Sequence, residues 1–283
     1  MAKIYSHSRL STFEKCPLKF KYRYIDKIIP EIEKSIEAHL GSAVHDTLEW
    51  LYIEVKNGNL PTLDDAIVYY SEMWQKAYKP ELIIVNKELT AKDYFNKGIQ
   101  FILDYYSKHQ PFQDGTLELE KEIRLNLDEN GNYKILGFID RLVKNPITGE
   151  YEIHDYKTGN SLPSQENIDT DRQLALYAMA IKEIYGKDEE VCLVWHYLAH
   201  NKKICSRRTN KQLELLKQET LDLIRKIEST TEFPHNKTKL CDWCEYKQMC
   251  PAWNASQEKP ETPQKTIEVD PSKYPTISKY IKD

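Results

Sequence analysis

The chain has 283 residues, 40% hydrophobic and 30% charged, with 40 Lys+Arg against 44 Asp+Glu for a net charge of −4. That length supports one large domain or two modest ones with a real core, and the charge excludes a polycation that coats nucleic acid by bulk attraction. No apolar run approaches the ~18 residues of a membrane helix, and the opening MAKIYSHSRL lacks the apolar centre of a signal peptide, so the expected compartment is the cytoplasm.

Residues 8–28 read as helix in pieces: Ser11 and Glu14 stand in capping-box spacing, Pro17 interrupts, and Pro30 ends the segment. Over 40–57, Leu40, Val44, Leu48, Leu51 and Val55 share one helical face, with Gly58 as a stop. Thr62-x-x-Asp65 opens a helix to about Tyr78, and a third helix covers about 90–108. At Gly115 the period changes to two. Leu117, Leu119, Ile123, Leu125 and Leu127 alternate with polar residues and predict a half-buried strand. Asn130-Gly131 predicts a turn, 133–143 the return strand and 151–157 a third, making a meander. Residues 169–185 regain helical period, 191–198 and 202–208 predict a strand pair, and Thr209-x-x-Gln212 opens a helix to about Ser229. A cysteine-rich segment follows, then a tail over 256–283 that is rich in Pro, Lys and Glu and expected to be flexible. This order predicts an α/β fold with a central mixed β-sheet flanked by helices.

Asp155 and Lys157 lie two apart on the third strand, so both side chains leave one face. Alone, such a pair reads as a salt bridge. Here the strand ends in Thr158-Gly159, and the strand before it carries Asp140 among apolar residues. Antiparallel pairing brings Asp140 towards Asp155, and two neighbouring carboxylates repel unless a cation lies between them. Oxygen ligands favour Mg²⁺ or Mn²⁺.

Four motifs occur in order: Gly41-x-x-x-His45, Gly137-x-Ile139-Asp140-Arg141, Asp155-Tyr156-Lys157-Thr158-Gly159 and Gln173-x-x-x-Tyr177. With the opening Ser6-x-Ser8-x-Leu10-x-x-Phe13-x-x-Cys16-Pro17-x-Lys19-Phe20, the set resembles the RecB-like branch of the PD-(D/E)XK nuclease superfamily, from about Tyr5 to Trp253. The resemblance implies a restriction-endonuclease-like core with an N-terminal helical part. It implies His45, Asp140 and Asp155 as metal ligands helped by the Tyr156 carbonyl, and Lys157 as the group that positions the attacking water. Gln173 and Tyr177, one helical turn apart, would orient Lys157 or the DNA end. Glu120 matches an auxiliary acid, with Glu122 as its competitor. Outside the motif set, His45 would read as a core histidine, and Gln173 and Tyr177 as helix-face packing.

Cys241-x2-Cys244-x5-Cys250 is spaced for a metal, which in a cytosolic chain is favoured over disulfides. Cys192 and Cys205 read as small buried residues of the strand pair. The resemblance, to AddB-type and CRISPR adaptation nucleases in particular, points to Cys16, Cys241, Cys244 and Cys250 as ligands of a 4Fe–4S cluster. Zinc on the same four residues is the rival. Such a cluster would staple segment 233–253 to Cys16 and remove unfolded-state entropy as a disulfide does. Residues 1–255 then form one nuclease domain, with a helical insertion at about 58–112.

Six basic residues between Arg9 and Lys27 interleave with Phe13, Phe20, Tyr22 and Tyr24, which reads as a single-strand contact or as a core stripe beneath a solvated face. The expected activity is metal-dependent DNA hydrolysis without sequence specificity, by an exonuclease of single-stranded or end-accessible DNA in recombination or repair. The alternatives are a CRISPR-adaptation or phage recombination nuclease that trims DNA ends, and a non-catalytic DNA-binding scaffold subunit. A separate helicase or an integrase is the expected partner, since no Walker A motif is present. No membrane association is expected.

Overall fold

The computed structural model describes residues 2–30 and 34–254; the tail read as flexible, 256–283, lies outside them. A short strand β1 (Lys3–Tyr5) leads into α1 (His7–Lys15) and α2 (Pro17–Phe20), the latter with proline at its first position. The cap of α1 is Ser6, whose hydroxyl accepts the Arg9 N–H at 3.1 Å, and not Ser11, which lies inside the helix. The reason is β1. It holds the chain extended up to Ser6, and a capping residue needs that extended backbone.

Three longer helices follow: α3 (Ile36–Lys56), α4 (Leu63–Ala77) and α5 (Ala91–His109). Thr62 with Asp65 and Thr90 with Asp93 form complete capping boxes, so the Thr62 start falls where the spacing placed it. Gly58, at φ +87°, takes the left-handed turn that ends the first of these helices.

The sheet is mixed and centred on β3 (Tyr133–Lys144). Strand β2 (Thr116–Asn126) runs antiparallel along one side of it. On the other side β1 pairs parallel with residues 133–135, and β4 (Tyr151–Lys157) pairs antiparallel with residues 141–144. The predicted meander is therefore present. The crossover through α6 (Gln165–Asp169) and α7 (Gln173–Tyr185) brings β5 (Val191–Tyr197) parallel to β4, and β6 (Lys202–Arg207) closes the edge antiparallel to β5. The helix expected over 169–185 is thus broken. Arg208 donates to the carbonyls of Ile168 and Asp171 at 2.7 and 3.4 Å, which takes up acceptors a continuous helix would use. Helix α8 (Asn210–Ser229) starts at its Thr209–Gln212 box, and α9 (Pro251–Asn254) follows the cysteines.

Each sheet face carries its own core. On one, α1, α2, α7 and α8 cover Ile123, Leu125, Ile139, Ile153 and Trp195; on the other, α3, α4 and α5 enclose Tyr156 and Leu198. Strand β2 changes face along its length. Leu119 packs with the α3–α5 core, whereas Ile123 and Leu125 pack in the other, and Leu117 is exposed. The uniform alternation read from the sequence therefore fails at Glu120, whose φ of +44° reverses the pleat. No helix of the described residues is long and apolar enough to cross a membrane.

Candidate active site

The site lies where β3 and β4 part. Their ladder runs only from Lys144↔Tyr151 to Arg141↔His154. One residue beyond, the Asp140 carboxylate accepts the Tyr156 N–H at 2.9 Å, where a strand carbonyl would otherwise stand. His45 reaches over from α3. Its Nδ1 lies 3.5 Å from Asp140 Oδ2, and its Nε2 lies 2.7 Å from the Tyr156 carbonyl oxygen. One turn earlier, a Cβ on Gly41 would meet Thr158 Oγ1 at 3.2 Å, so α3 lies close against the end of β4 at this point.

Glu120 joins from the reversed point of β2. One donor atom each from His45, Glu120 and Asp140 lies within 4.8 Å of the others, the only such metal-ligand group among the described residues. Burial first, and the Asp155 charge second, hold the Asp140 carboxyl above the usual carboxylate range. Burial, then the charges of Asp140 and Glu49, push Glu120 up to about 7. An imidazole and two carboxylates crowded in this way match a divalent cation in both donor type and charge. Glu122 instead pairs with Arg124 at 2.7 Å and takes no part.

Asp155 is turned to the neighbouring face, as is Lys157. The ammonium lies 2.7 Å from Asp155 Oδ2 and donates to Gln173 Oε1 at 3.0 Å, while Gln173 Nε2 donates to Asp155 Oδ1 at 3.2 Å. Burial opposes the charge on Lys157, yet Asp155, Asp140 and Asp171 outweigh it and raise the lysine above its ordinary value. Tyr177 is buried against Gly137 and carries a hydroxyl raised to about 12 by burial. Asp171 was not singled out in the sequence. It accepts the Gln173 N–H at 2.9 Å and adds negative charge beside Lys157. Its position just before Gln173 was the available signal.

Cys16, Cys241, Cys244 and Cys250 line one cavity of about 350 Å³, together with Lys15, Trp243 and Trp253. The Thr238 N–H donates to Cys241 Sγ at 3.3 Å. No three of these sulfurs close to the spacing of the His45 group. The segment is tied to the N-terminus by Lys19–Glu245 at 2.6 Å and by the Asn236 amide donating to the Lys15 carbonyl at 2.9 Å. This explains the basic stretch. Lys19 and Arg23 face Glu245, Lys21 pairs with Asp26, and Phe13 and Phe20 are core residues against Phe233, unavailable for stacking on bases.

A forked mixed sheet with this acid, lysine and histidine arrangement defines a nuclease fold. The profile of the PD-(D/E)XK nuclease superfamily matches residues 4–251, and the chain belongs to that superfamily. Membership implies a metal-dependent nuclease, and the His45–Glu120–Asp140 group fits a metal site. The chain is similar to the Gene 69 protein of Mycobacterium phage D29, at 23% identity over 88% of this chain and 96% of that one. Among solved structures it is similar to a candidate exonuclease from Eubacterium rectale, at 12% identity and a TM-score of 0.47, covering 91% of this chain and 90% of that one. It is also similar to SSO0001, at 17% identity and a TM-score of 0.41, covering 88% and 86%.

Proposed function

We propose that this protein is a DNA exonuclease that hydrolyses phosphodiester bonds of single-stranded or end-accessible DNA in recombination or repair. The observation that carries the reading is the His45–Glu120–Asp140 group set directly against the Asp155–Lys157–Gln173 network. His45, Glu120 and Asp140, joined by Asp155 and the Tyr156 carbonyl, would hold Mg²⁺ or Mn²⁺. Bound there, the ion offsets the phosphate charge and makes water a better nucleophile. Lys157, paired with Asp155 at 2.7 Å, orients the water and steadies the charge that develops on the phosphorus oxygens. Gln173 fixes the lysine and Asp155 to each other. Tyr177 acts from behind, by holding α7 against Gly137. The same reading takes residues 1–255 as one nuclease domain, with a separate helicase or an integrase as partner.

The test uses anaerobically purified protein and end-labelled linear single-stranded DNA in Mn²⁺, Mg²⁺ or EDTA. Degradation should require the metal and vanish in Asp155→Ala. In Lys157→Ala it should fall by about 10²–10³ while Mn²⁺ still binds. A folded wild type that leaves DNA intact in both metals overturns the reading.

We further propose that the cysteine cavity holds a structural 4Fe–4S cluster. Four cysteines around one cavity support this, as does the N–H···S bond to Cys241. Iron and sulfide analysis of the anaerobic protein tests the assignment; stoichiometric zinc without iron overturns it.

A further inference from the structure

Arg141 follows Asp140 in the chain, and its side chain is fully buried among Tyr52 of α3, Tyr105 of α5 and Tyr156 of β4. Its Nε donates to the Tyr156 hydroxyl at 2.9 Å. The rest of the guanidinium is fixed in place. One nitrogen lies 2.8 Å from His154 Nδ1, another donates to Thr116 Oγ1 at 3.1 Å and pairs with Asp114, and the group sits 4.1 Å from the centre of the Tyr52 ring. Burying a charge costs more than filling the same space with an apolar side chain. Packing alone therefore does not account for a guanidinium here. Its planar fork supplies direction, which packing does not.

That direction falls on Tyr156, at the point where β4 has lost β3 as a partner. The Tyr156 main chain supplies both the N–H that Asp140 accepts and the carbonyl that faces His45. On the β3 side of the fork, the ladder no longer sets this peptide. We infer that Arg141 is a positioning residue for the divalent cation: by gripping the Tyr156 hydroxyl it holds the Tyr156 main chain, and through it Asp140 and His45, in the geometry that receives the ion. Asp114 neutralises the guanidinium, so the clamp adds no net repulsion beneath the site. The inference rests on the metal-site reading above.

The test measures Mn²⁺ binding by the spin-resonance signal of the free ion, in wild type, Tyr156→Phe, Arg141→Lys and the double variant. Melting is followed in EDTA. Tyr156→Phe keeps the ring and the main-chain carbonyl and removes only the gripped hydroxyl. It should raise the Mn²⁺ dissociation constant about tenfold with melting close to wild type, and Arg141→Lys should add nothing to it in the double variant. Tyr156→Phe that binds Mn²⁺ as wild type does, or effects that add, overturns the clamp alone. Wild type that takes up no Mn²⁺ overturns the metal site and the clamp together. Should Arg141→Lys fail to fold, Tyr156→Phe decides by itself.

Discussion

A Cβ built on Gly137 would lie 2.3 Å from Cε1 of Tyr177. The glycine is the space that the Tyr177 ring occupies, and it sets how closely α7 approaches β3. Gln173, one turn earlier on α7, reaches Asp155 and Lys157 only from that distance. Gly137→Ala is expected to destabilise the protein by about 1–3 kcal/mol through overpacking and to lower nuclease activity. Adding Tyr177→Leu should recover part of the stability. Urea unfolding of the single and double variants checks this; a Gly137→Ala protein as stable as wild type would refute it.

Glu120 occupies a left-handed backbone conformation in the middle of a strand, at φ +44°. A side chain there costs ~1–2 kcal/mol, which glycine avoids. Glu120→Gly should therefore be more stable than Glu120→Ala by about 1 kcal/mol, while both bind Mn²⁺ more weakly than wild type. If alanine proves the better replacement, the strain is absent.

His109, His154 and His196 cluster around Arg141, and burial first, then neighbouring cations and imidazoles, hold all three below the ordinary histidine value. For His109 the value drops from 6.5 to about 4. The unfolded chain then binds more protons than the native one between those limits. Stability is full above the unfolded value and falls with pH, by about 2 kcal/mol at pH 5 for this residue. His109→Gln should flatten the loss between pH 7.5 and pH 5 in urea titrations. An unchanged slope would show that His109 takes up its proton in the folded state without penalty.

Cys241→Ala removes one proposed cluster ligand far in sequence from Cys16. Loss of the closure should lower the melting temperature and remove the visible absorption of the iron. Cys192→Ala, in the β5–β6 pair, serves as the control and should keep the colour. A colourless wild type with the same melting temperature as Cys241→Ala would dismiss the staple.

Short-range chemistry made much of the fold legible. The Thr62–Asp65 and Thr209–Gln212 boxes each start a helix where the spacing placed it, because a cap satisfies donors within its own turn. The strand 151–157 and the shared face of Asp155 and Lys157 follow from a local period of two. Other readings failed because the deciding contact is remote in sequence. Ser6 displaces Ser11 as a cap through pairing of β1 with β3. Of the two readings of the basic stretch, the core stripe holds for Phe13 and Phe20, which turn inward because Phe233 packs on them.

The sequence by itself determined the kinds of element, their order and the set of chemical groups, since periodicity, capping and motif spacing are carried by neighbouring residues. Tertiary structure decided which groups meet. It chose Glu120 over Glu122 by reversing one strand's pleat, opened the fork at Asp140 where β4 leaves β3, and laid Arg141 under Tyr156. These depend on pairings between distant segments, whose register is set by the packing of two cores on opposite faces of one sheet.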